Sequence, residues 1–171
     1  MTTQKKHPAL GVALAGIIAA LYVVLTLLIS LIPGFATSAI QVRISEALCI
    51  LTFFTPWAIP GLTIGCFLSN LILGCAPQDI LFGTLATLLG AVGGWLLRKV
   101  SAWLVPLPTV LANTIIVPYV IKYAYVGNEE TPILFLMLTV GIGELIAAYI
   151  LGMVLYFALR PYQKRLFGRF Q

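Results

Sequence analysis

The stretch ALGVALAGIIAALYVVLTLLISLI, residues 9–32, carries no charged side chain. It is long enough to cross a bilayer, which takes roughly 20 residues. Further apolar runs follow it, so that 61% of the 171 residues are hydrophobic and only 9% are charged. A typical soluble domain has about a quarter of its residues charged. The composition therefore excludes a soluble globular domain and a disordered chain, and it predicts an integral membrane protein.

The apolar runs predict an all-α bundle of six transmembrane helices that forms a single domain over residues 1–171. The expected spans lie at about 9–32, 43–54, 58–73, 79–97, 109–125 and 131–160. Pro56 and Pro60 favour a break between the second and third spans. With six spans, eight of the ten Lys and Arg residues fall on the side of the amino terminus: Lys5, Lys6, Arg98, Lys99, Arg160, Lys164, Arg165 and Arg169. Because basic residues mark cytoplasmic segments, we predict that both termini are cytoplasmic.

Several function classes have no support in the sequence. There is no phosphate-binding loop motif and no room for a nucleotide-binding domain, so the chain is not expected to hydrolyse ATP alone. The three cysteines lack the spacing of metal ligands, and the single histidine, His7, lies near the terminus. We therefore predict no enzyme, no metal and no cofactor, and we attribute the net charge of +5 to cytoplasmic loops rather than to nucleic-acid binding.

Glu144 is the most informative polar residue. It lies in the middle of the last apolar run, and no basic residue lies within one helical turn of it. Gly141 and Ala148 share its helical face, so only small side chains lie beside the Glu144 carboxylate on that face. A carboxylate in the membrane interior is costly and usually functional. Glu144 is thus predicted to contact a ligand or to relay protons, with structural pairing as the alternative.

Other polar residues accompany Glu144, most of them in the half of the membrane opposite the termini. Arg43 and Glu46 share a face and either pair with each other or contact a ligand. Asp79 either caps its helix or contacts a ligand, and Asn113 lies four residues before Val117-Pro118, where Pro118 frees a backbone carbonyl. The predicted substrate contacts are Glu144, Asn70, Asn113, Asp79, Glu46, Arg43 and Thr84.

Small residues recur at spacing four in the first span. Gly11, Ala15 and Ala19 form one row, and Ala9-Ala13 and Gly16-Ala20 form others. Such rows let a second helix approach closely. The row either packs inside the protein's own bundle or docks onto another protein.

The ordered set of motifs resembles the QueT-type membrane proteins, which are substrate-capture (S) components of energy-coupling-factor transporters. The resemblance covers nearly the whole chain. The stretches that carry it are VRISEAL at 42–48, IPGL at 59–62 with Gly65 and Asn70, Asp79 with FGTLAT at 82–87, and GELI at 143–146.

The resemblance implies a six-helix S component in a prokaryotic cell membrane that captures a queuosine precursor, such as queuine or 7-aminomethyl-7-deazaguanine, from outside. Its partners would be a transmembrane coupling protein and two ATPase subunits, docked through the row of Gly11, Ala15 and Ala19. The paired donor edge of a deazaguanine would suit Glu144, its acceptors Asn70 or Asn113, and its ammonium Asp79 or Glu46.

Three other functions remain open from the sequence. A proton-coupled secondary transporter would use Glu144 as its relay. A small membrane enzyme would need a nucleophile–base pair, and the sequence offers none. A scaffold without a ligand would leave the cost of Glu144 unexplained.

Overall fold

The computed structural model describes residues 8–32, 43–126 and 131–168, and within these ranges the chain is helical and contains no strand. The principal elements are α1 (Pro8–Ser30), a 3-10 helix (Ile44–Phe53), α2 (Ala58–Ile72), α3 (Pro77–Leu97), α4 (Leu107–Val120) with a π-helical continuation (Ile121–Val126), α5 (Ile133–Glu144), a second π-helix (Leu145–Leu151), α6 (Gly152–Leu159) and α7 (Gln163–Phe167).

A helical segment lies at each of the six predicted spans. Four apolar helical stretches are long enough to cross a membrane, namely Ala9–Ser30, Pro77–Leu97, Ala102–Tyr125 and Ile133–Phe167. Two shorter apolar helices, Ile44–Phe53 and Ala58–Ile72, complete the set. The count of six crossings and the cytoplasmic termini therefore stay predictions. The predicted loop at 35–42 lies outside the described residues, as do residues 1–7, 33–34 and 169–171. The same holds for the polar turn predicted at 126–130, except that Val126 ends the π-helix.

The 3-10 helix Ile44–Phe53 is the central element of the bundle. Every residue from Ser45 to Thr52 is buried, and the helix contacts α1, α2, α3, the second π-helix and α6. Runs of 3-10 helix beyond three or four residues are uncommon, and side chains three apart stand above one another because there are three residues per turn. Glu46, Cys49 and Thr52 therefore share one face, and Arg43 directly precedes the helix.

Helix α1 packs closely on α2, and this contact explains one row of small residues. A Cβ on Gly61 would lie 2.8 Å from the backbone oxygen of Ala15, and a Cβ on Gly11 would overlap the Trp57 side chain. Gly11, Ala15 and Ala19 are buried in this contact. The docking role predicted for these three residues needs correction, because the protein's own helix α2 occupies their face.

A second small-residue row of α1 faces outward. Ala9, Ala13, Gly16 and Ala20 are all exposed, and a Cβ added to Gly16 would meet nothing within 4 Å. Successive spacings of four, three and four keep these residues on one side of the helix. The flat surface that the sequence predicts on the first span therefore exists, but on this neighbouring row.

Helices α3, α4 and α5 are packed in alternating directions by small residues. Gly90 of α3 lies against Thr109 of α4, and Gly141 of α5 lies against Thr114 of α4. The turn before α3 contains Gly74 at φ +65°, a conformation that favours glycine. The arrangement gathers Arg43, Asp79 and Tyr125 at one end of the bundle, called here the Asp79 end.

The carboxyl-terminal segment is more than the basic tail predicted for 163–171. Its first residues form α7, and Phe167 is buried against the core. The Phe167 ring stacks on Phe54 with centroids 5.0 Å apart, and Phe54 stacks in turn on Tyr156. The aromatic stack thus anchors the segment to the end of the bundle opposite Asp79.

Candidate functional site

Glu144 lies in the bundle interior with an incomplete set of hydrogen bonds. Its side chain is 3% exposed, and Asn113 of α4 neighbours its carboxylate. Among the described residues, Glu144 Oε2, Asn113 Nδ2 and the hydroxyls of Thr109 and Thr114 have no hydrogen-bond partner. We call these four residues the Glu144 cluster. A buried polar atom without a partner costs about 1–3 kcal/mol, and more when it is charged, so this cluster is suited to a polar ligand.

The local backbone explains why these groups meet. Glu144 is the last residue of α5, and the chain continues directly as the π-helix Leu145–Leu151. Pro118 lies inside α4 and lacks an N–H, and α4 likewise widens into a π-helix after Val120. Because π-helical turns are rare and occur frequently at functional sites, the π-helix that begins directly after Glu144 marks this region of the bundle.

Glu46 forms a second polar group on the central helix. It is 1% exposed and accepts a hydrogen bond from the Tyr22 hydroxyl of α1, which is equally buried. The Thr87 side chain of α3 is a further neighbour. The Glu46 carboxyl group also lies within electrostatic range of Glu144. The clusters of Glu46 and Glu144 are therefore electrostatically connected.

A third group lies at the Asp79 end. Arg43 Nη2 is 4.0 Å from Asp79 Oδ1, a charge contact without a hydrogen bond. The Tyr125 hydroxyl donates to Asp79 Oδ2 at 2.9 Å and accepts from the backbone N–H of Ala76 at 3.0 Å. Asn70 Nδ2 is 3.5 Å from the Asp79 backbone oxygen. These contacts fix the start of α3 against both α2 and the end of α4.

Gly83 leaves a small space at which three polar groups of this end converge. A Cβ at this position would lie 3.1 Å from Asp79 Oδ1, 3.2 Å from Asn70 Nδ2 and 4.0 Å from Arg43 Nη1. The Asp79 oxygen has no hydrogen-bond partner among the described residues. One acceptor and two donors thus converge beside the Gly83 backbone, a site here called the Gly83 cradle, and a ligand group that both donates and accepts hydrogen bonds would match them.

Filling the Gly83 cradle should separate binding from stability. Gly83→Ala adds a methyl group 3.1 Å from Asp79 Oδ1 and 3.2 Å from Asn70 Nδ2, so these side chains have to move by a few tenths of an ångström. Alanine favours a helix over glycine by up to about 1 kcal/mol, which offsets this cost. We expect an unfolding temperature close to that of the wild type, together with ligand affinity weakened about tenfold, as measured by calorimetry. Gly16→Ala, on the open face of α1, is the matched control and should leave affinity unchanged. Unchanged affinity in Gly83→Ala would show that no ligand enters the cradle.

The structure brings most of the predicted contacts together and separates others. Arg43 pairs with Asp79 instead of the predicted alternative partner Glu46. Asp79 is not the helix cap, because α3 begins at Pro77 and places Asp79 within its first turn. Thr84 is half-buried and donates to the backbone oxygen of Ile80 at 2.6 Å, so it bonds within its own helix and lies apart from the three clusters.

Five residues of these clusters are absent from the predicted substrate contacts: Tyr22, Thr87, Thr109, Thr114 and Tyr125. Tyr22 is embedded in an apolar run, and the partner of its hydroxyl is 24 residues away. Thr87 follows Asp79 and Gly83 at spacing four and so shares their helical face, which is the sequence signal for it. Thr109 and Thr114 lie on either side of Asn113 in α4, and this proximity in the sequence is the signal that could have identified them.

Charge in the described interior is unbalanced. The carboxylates of Glu46, Asp79 and Glu144 are accompanied by a single basic side chain, that of Arg43. Burying charges away from water is costly unless they are paired. A buried carboxyl group without a cationic partner either takes up a proton or binds a donor, so this interior suits a ligand that is rich in hydrogen-bond donors.

An apolar groove also runs between α3 and α4 near the Asp79 end. Its volume is about 290 Å³. The lining residues are Gln78, Phe82, Ile115, Ile116, Tyr119, Val120, Tyr123 and Ala124. The rings of Tyr119 and Tyr123 are stacked with centroids 6.5 Å apart. Both tyrosines are exposed, in keeping with an outer surface of the bundle near a membrane interface.

Long apolar helices around a buried polar interior are the architecture of a multi-pass membrane protein. The family model described as QueT transporter matches residues 12–161, and the chain belongs to this family of transporters. Over 88 residues it is 38% identical to a protein of Lactococcus lactis subsp. cremoris (strain MG1363) named "Queuosine precursor transporter QueT". That alignment spans 50% of this chain and 49% of the relative. No solved structure matches the chain.

Proposed function

We propose that the protein is the substrate-capture component of an energy-coupling-factor importer and that it binds a queuosine precursor in the bundle interior. The observation that carries the proposal is the Glu144 cluster, in which a buried carboxylate oxygen and a buried amide nitrogen lack partners within the described part of the chain. The name of the Lactococcus relative supports the substrate class. With cytoplasmic termini, the Asp79 end would face outside and receive the molecule first.

A deazaguanine matches the hydrogen-bonding groups that these clusters offer. Its N1–H and exocyclic amine form a paired donor edge that the Glu144 carboxylate can accept. Its oxygen and ring nitrogen need donors, for which Asn113 and the hydroxyls of Thr109 and Thr114 are available. The ammonium of 7-aminomethyl-7-deazaguanine would be received by Asp79, whose Oδ1 accepts no hydrogen bond from any residue that the structure describes, or by Glu46.

The energy for uptake would come from partner proteins. The sequence has no phosphate-binding loop, so the proposal assigns ATP hydrolysis to two ATPase subunits and their connection to a transmembrane coupling protein. The exposed row of Ala9, Ala13, Gly16 and Ala20 on α1 is the docking surface we propose. A flat row lets a partner helix approach closely, which drives helix association in membranes.

Reconstitution into liposomes tests the proposal against the proton-coupled alternative. Uptake of 7-aminomethyl-7-deazaguanine should require the coupling protein, both ATPases and ATP inside the compartment that holds the ATPases, and it should survive collapse of the proton gradient. Uptake by this chain alone that stops when the gradient collapses would instead establish a secondary transporter with Glu144 as relay. Mass spectrometry of the molecule that co-purifies with the protein would identify the precursor.

Ligand charge should distinguish the roles of the carboxylates. If Asp79 receives the ammonium, Asp79→Asn should weaken binding of the aminomethyl precursor about tenfold more than binding of the uncharged 7-cyano analogue, because a charge-assisted bond contributes about 1.5–3 kcal/mol. Glu46→Gln is the parallel variant, and titration of each purified protein with both ligands is the measurement. Equal losses for the two ligands would assign the carboxylate a structural role, such as holding Arg43 and Tyr125.

A further inference from the structure

The inner face of α1 is attached to the central helix by polar contacts. The Tyr22 hydroxyl donates to Glu46, and one turn further along, the hydroxyls of Thr26 and Ser45 are 2.9 Å apart. The contacts of α1 with α2 are of a different kind, since they rest on small residues and close backbone approach at Gly61 and Gly65. Glu46 is therefore the charged group through which the interior holds α1.

The Tyr22 hydroxyl already donates to the Glu46 carboxylate, and a bound ligand would compete for the same acceptor. Tyr22 and Glu46 are each 1% exposed, so water cannot replace either partner freely. A carboxylate accepts hydrogen bonds but, when ionised, donates none. A ligand donor that approaches Glu46 from the Glu144 side must therefore share this carboxylate with Tyr22 or displace the hydroxyl from it.

Building on the proposed function, we infer that the Tyr22 hydroxyl competes with the donor group of the captured molecule for the Glu46 carboxylate, so that ligand binding loosens the attachment of α1 to the central helix. The competing donor is an ammonium or an N–H of a planar heterocycle. Because the Tyr22–Glu46 hydrogen bond must be broken, the competition lowers ligand affinity. Its loss also changes the contacts of α1 whenever a ligand is bound.

Loosening the inner face of α1 also affects its opposite, exposed face. The exposed row of Ala9, Ala13, Gly16 and Ala20 belongs to α1, so any shift or rotation of α1 moves this row. The Thr26–Ser45 contact and the packing on α2 remain when Tyr22 is displaced, which limits the movement to an adjustment of a helix that stays in place. Occupancy of the interior is thereby coupled to the surface offered to a partner.

Tyr22→Phe tests the competition by the sign of its effect. The variant removes the hydroxyl alone, so 7-aminomethyl-7-deazaguanine should bind about three- to tenfold more tightly to the purified protein, the range expected when one competing hydrogen bond is removed. Tyr119→Phe, which removes an exposed hydroxyl from the outer groove, is the matched control and should not change affinity. Weaker binding in Tyr22→Phe would make Tyr22 a ligand contact, and equal binding would exclude competition; either result overturns the inference.

A spectroscopic label on α1 tests the second half of the inference. Gly16→Cys in a Cys75→Ser background offers an exposed thiol, because the remaining cysteines, Cys49 and Cys66, are buried. A spin label there should change its spectrum when ligand is added, and in Tyr22→Phe the spectrum without ligand should already resemble the ligand-bound one. If Tyr22→Phe is too unstable to titrate, an unchanged spectrum of the labelled Tyr22 protein at saturating ligand overturns the inference. Failure of the wild-type protein to bind any precursor would instead overturn the proposed function, and this inference with it.

Discussion

Glu144→Gln should weaken ligand binding at least tenfold while the protein remains folded. The substitution replaces one acceptor oxygen with an amide donor, and a donor facing the ligand's own N–H groups leaves both sides unpaired, at a cost of about 1–3 kcal/mol or more for a charged acceptor. Glutamine has nearly the shape of glutamate, and it removes an ionisable group from a buried position beside a second acidic side chain, Glu46. Thermal stability should therefore be unchanged or higher, and calorimetric titration and thermal unfolding of the same sample give the two results.

Thr139→Val provides the matched control for Glu144. Thr139 lies on the same helix, is similarly buried and donates within that helix to the backbone oxygen of Leu136. The Thr139→Val substitution removes a buried hydroxyl that is not part of the Glu144 cluster, so ligand affinity should stay within about twofold of the wild-type value. Unchanged affinity in Glu144→Gln would remove Glu144 from the binding site. Retained binding together with lost proton-driven uptake would support the relay.

Ala13→Trp should abolish co-purification with the coupling protein and the ATPases, and uptake should stop. Ala13 lies in the middle of the exposed row on α1, and an indole there would hold a partner helix away and forfeit the packing on which membrane helices depend. The ligand groups lie in the interior, so the affinity of the isolated protein should change by less than about 1 kcal/mol. Pull-down of the complex and titration of the isolated chain measure the two effects.

Two further tryptophan variants make the docking experiment specific. Leu21→Trp adds the same bulk to an exposed position of α1 away from the small-residue row, and it should leave the complex intact. Ala15→Trp inserts the indole between α1 and α2, where Gly61 approaches the Ala15 backbone, and it should lower the yield and stability of the isolated protein. Recovery of the whole complex with Ala13→Trp would exclude this row as the docking surface.

The sequence predicts the helical segments well because hydrocarbon imposes a simple requirement. A run of apolar residues without charges must be helical to satisfy its backbone groups, and Pro56 and Pro60 divide the run that would otherwise be ambiguous. The same reasoning makes Glu144 conspicuous, since an acidic side chain in such a run must have a partner or a function. Its burial and its unpartnered oxygen agree with that argument.

Pairings between distant segments are what the sequence could not predict. Spacing along a helix indicates that Arg43 and Glu46 share a face, but each finds its partner on another helix, Asp79 for the first and Tyr22 for the second. The small residues of α1 pose a similar problem, because rows on two faces look alike in sequence. Only the position of α2 decides that Ala15 is internal and that Ala13 is free.

The unequal lengths of the helices bear on the lipid around the protein. Helix α2 has 15 residues and is about 22 Å long, whereas α1 has 23 residues and is about 34 Å long. The hydrocarbon core of a bilayer is about 30 Å thick, and α2 turns Ile64, Phe67 and Leu71 toward it. Of these two helices, only α2 is shorter than the hydrocarbon core. The bilayer has to thin beside α2 but not beside α1, and because tilting would shorten the reach of α2 further, local thinning on this side of the protein is the expected response.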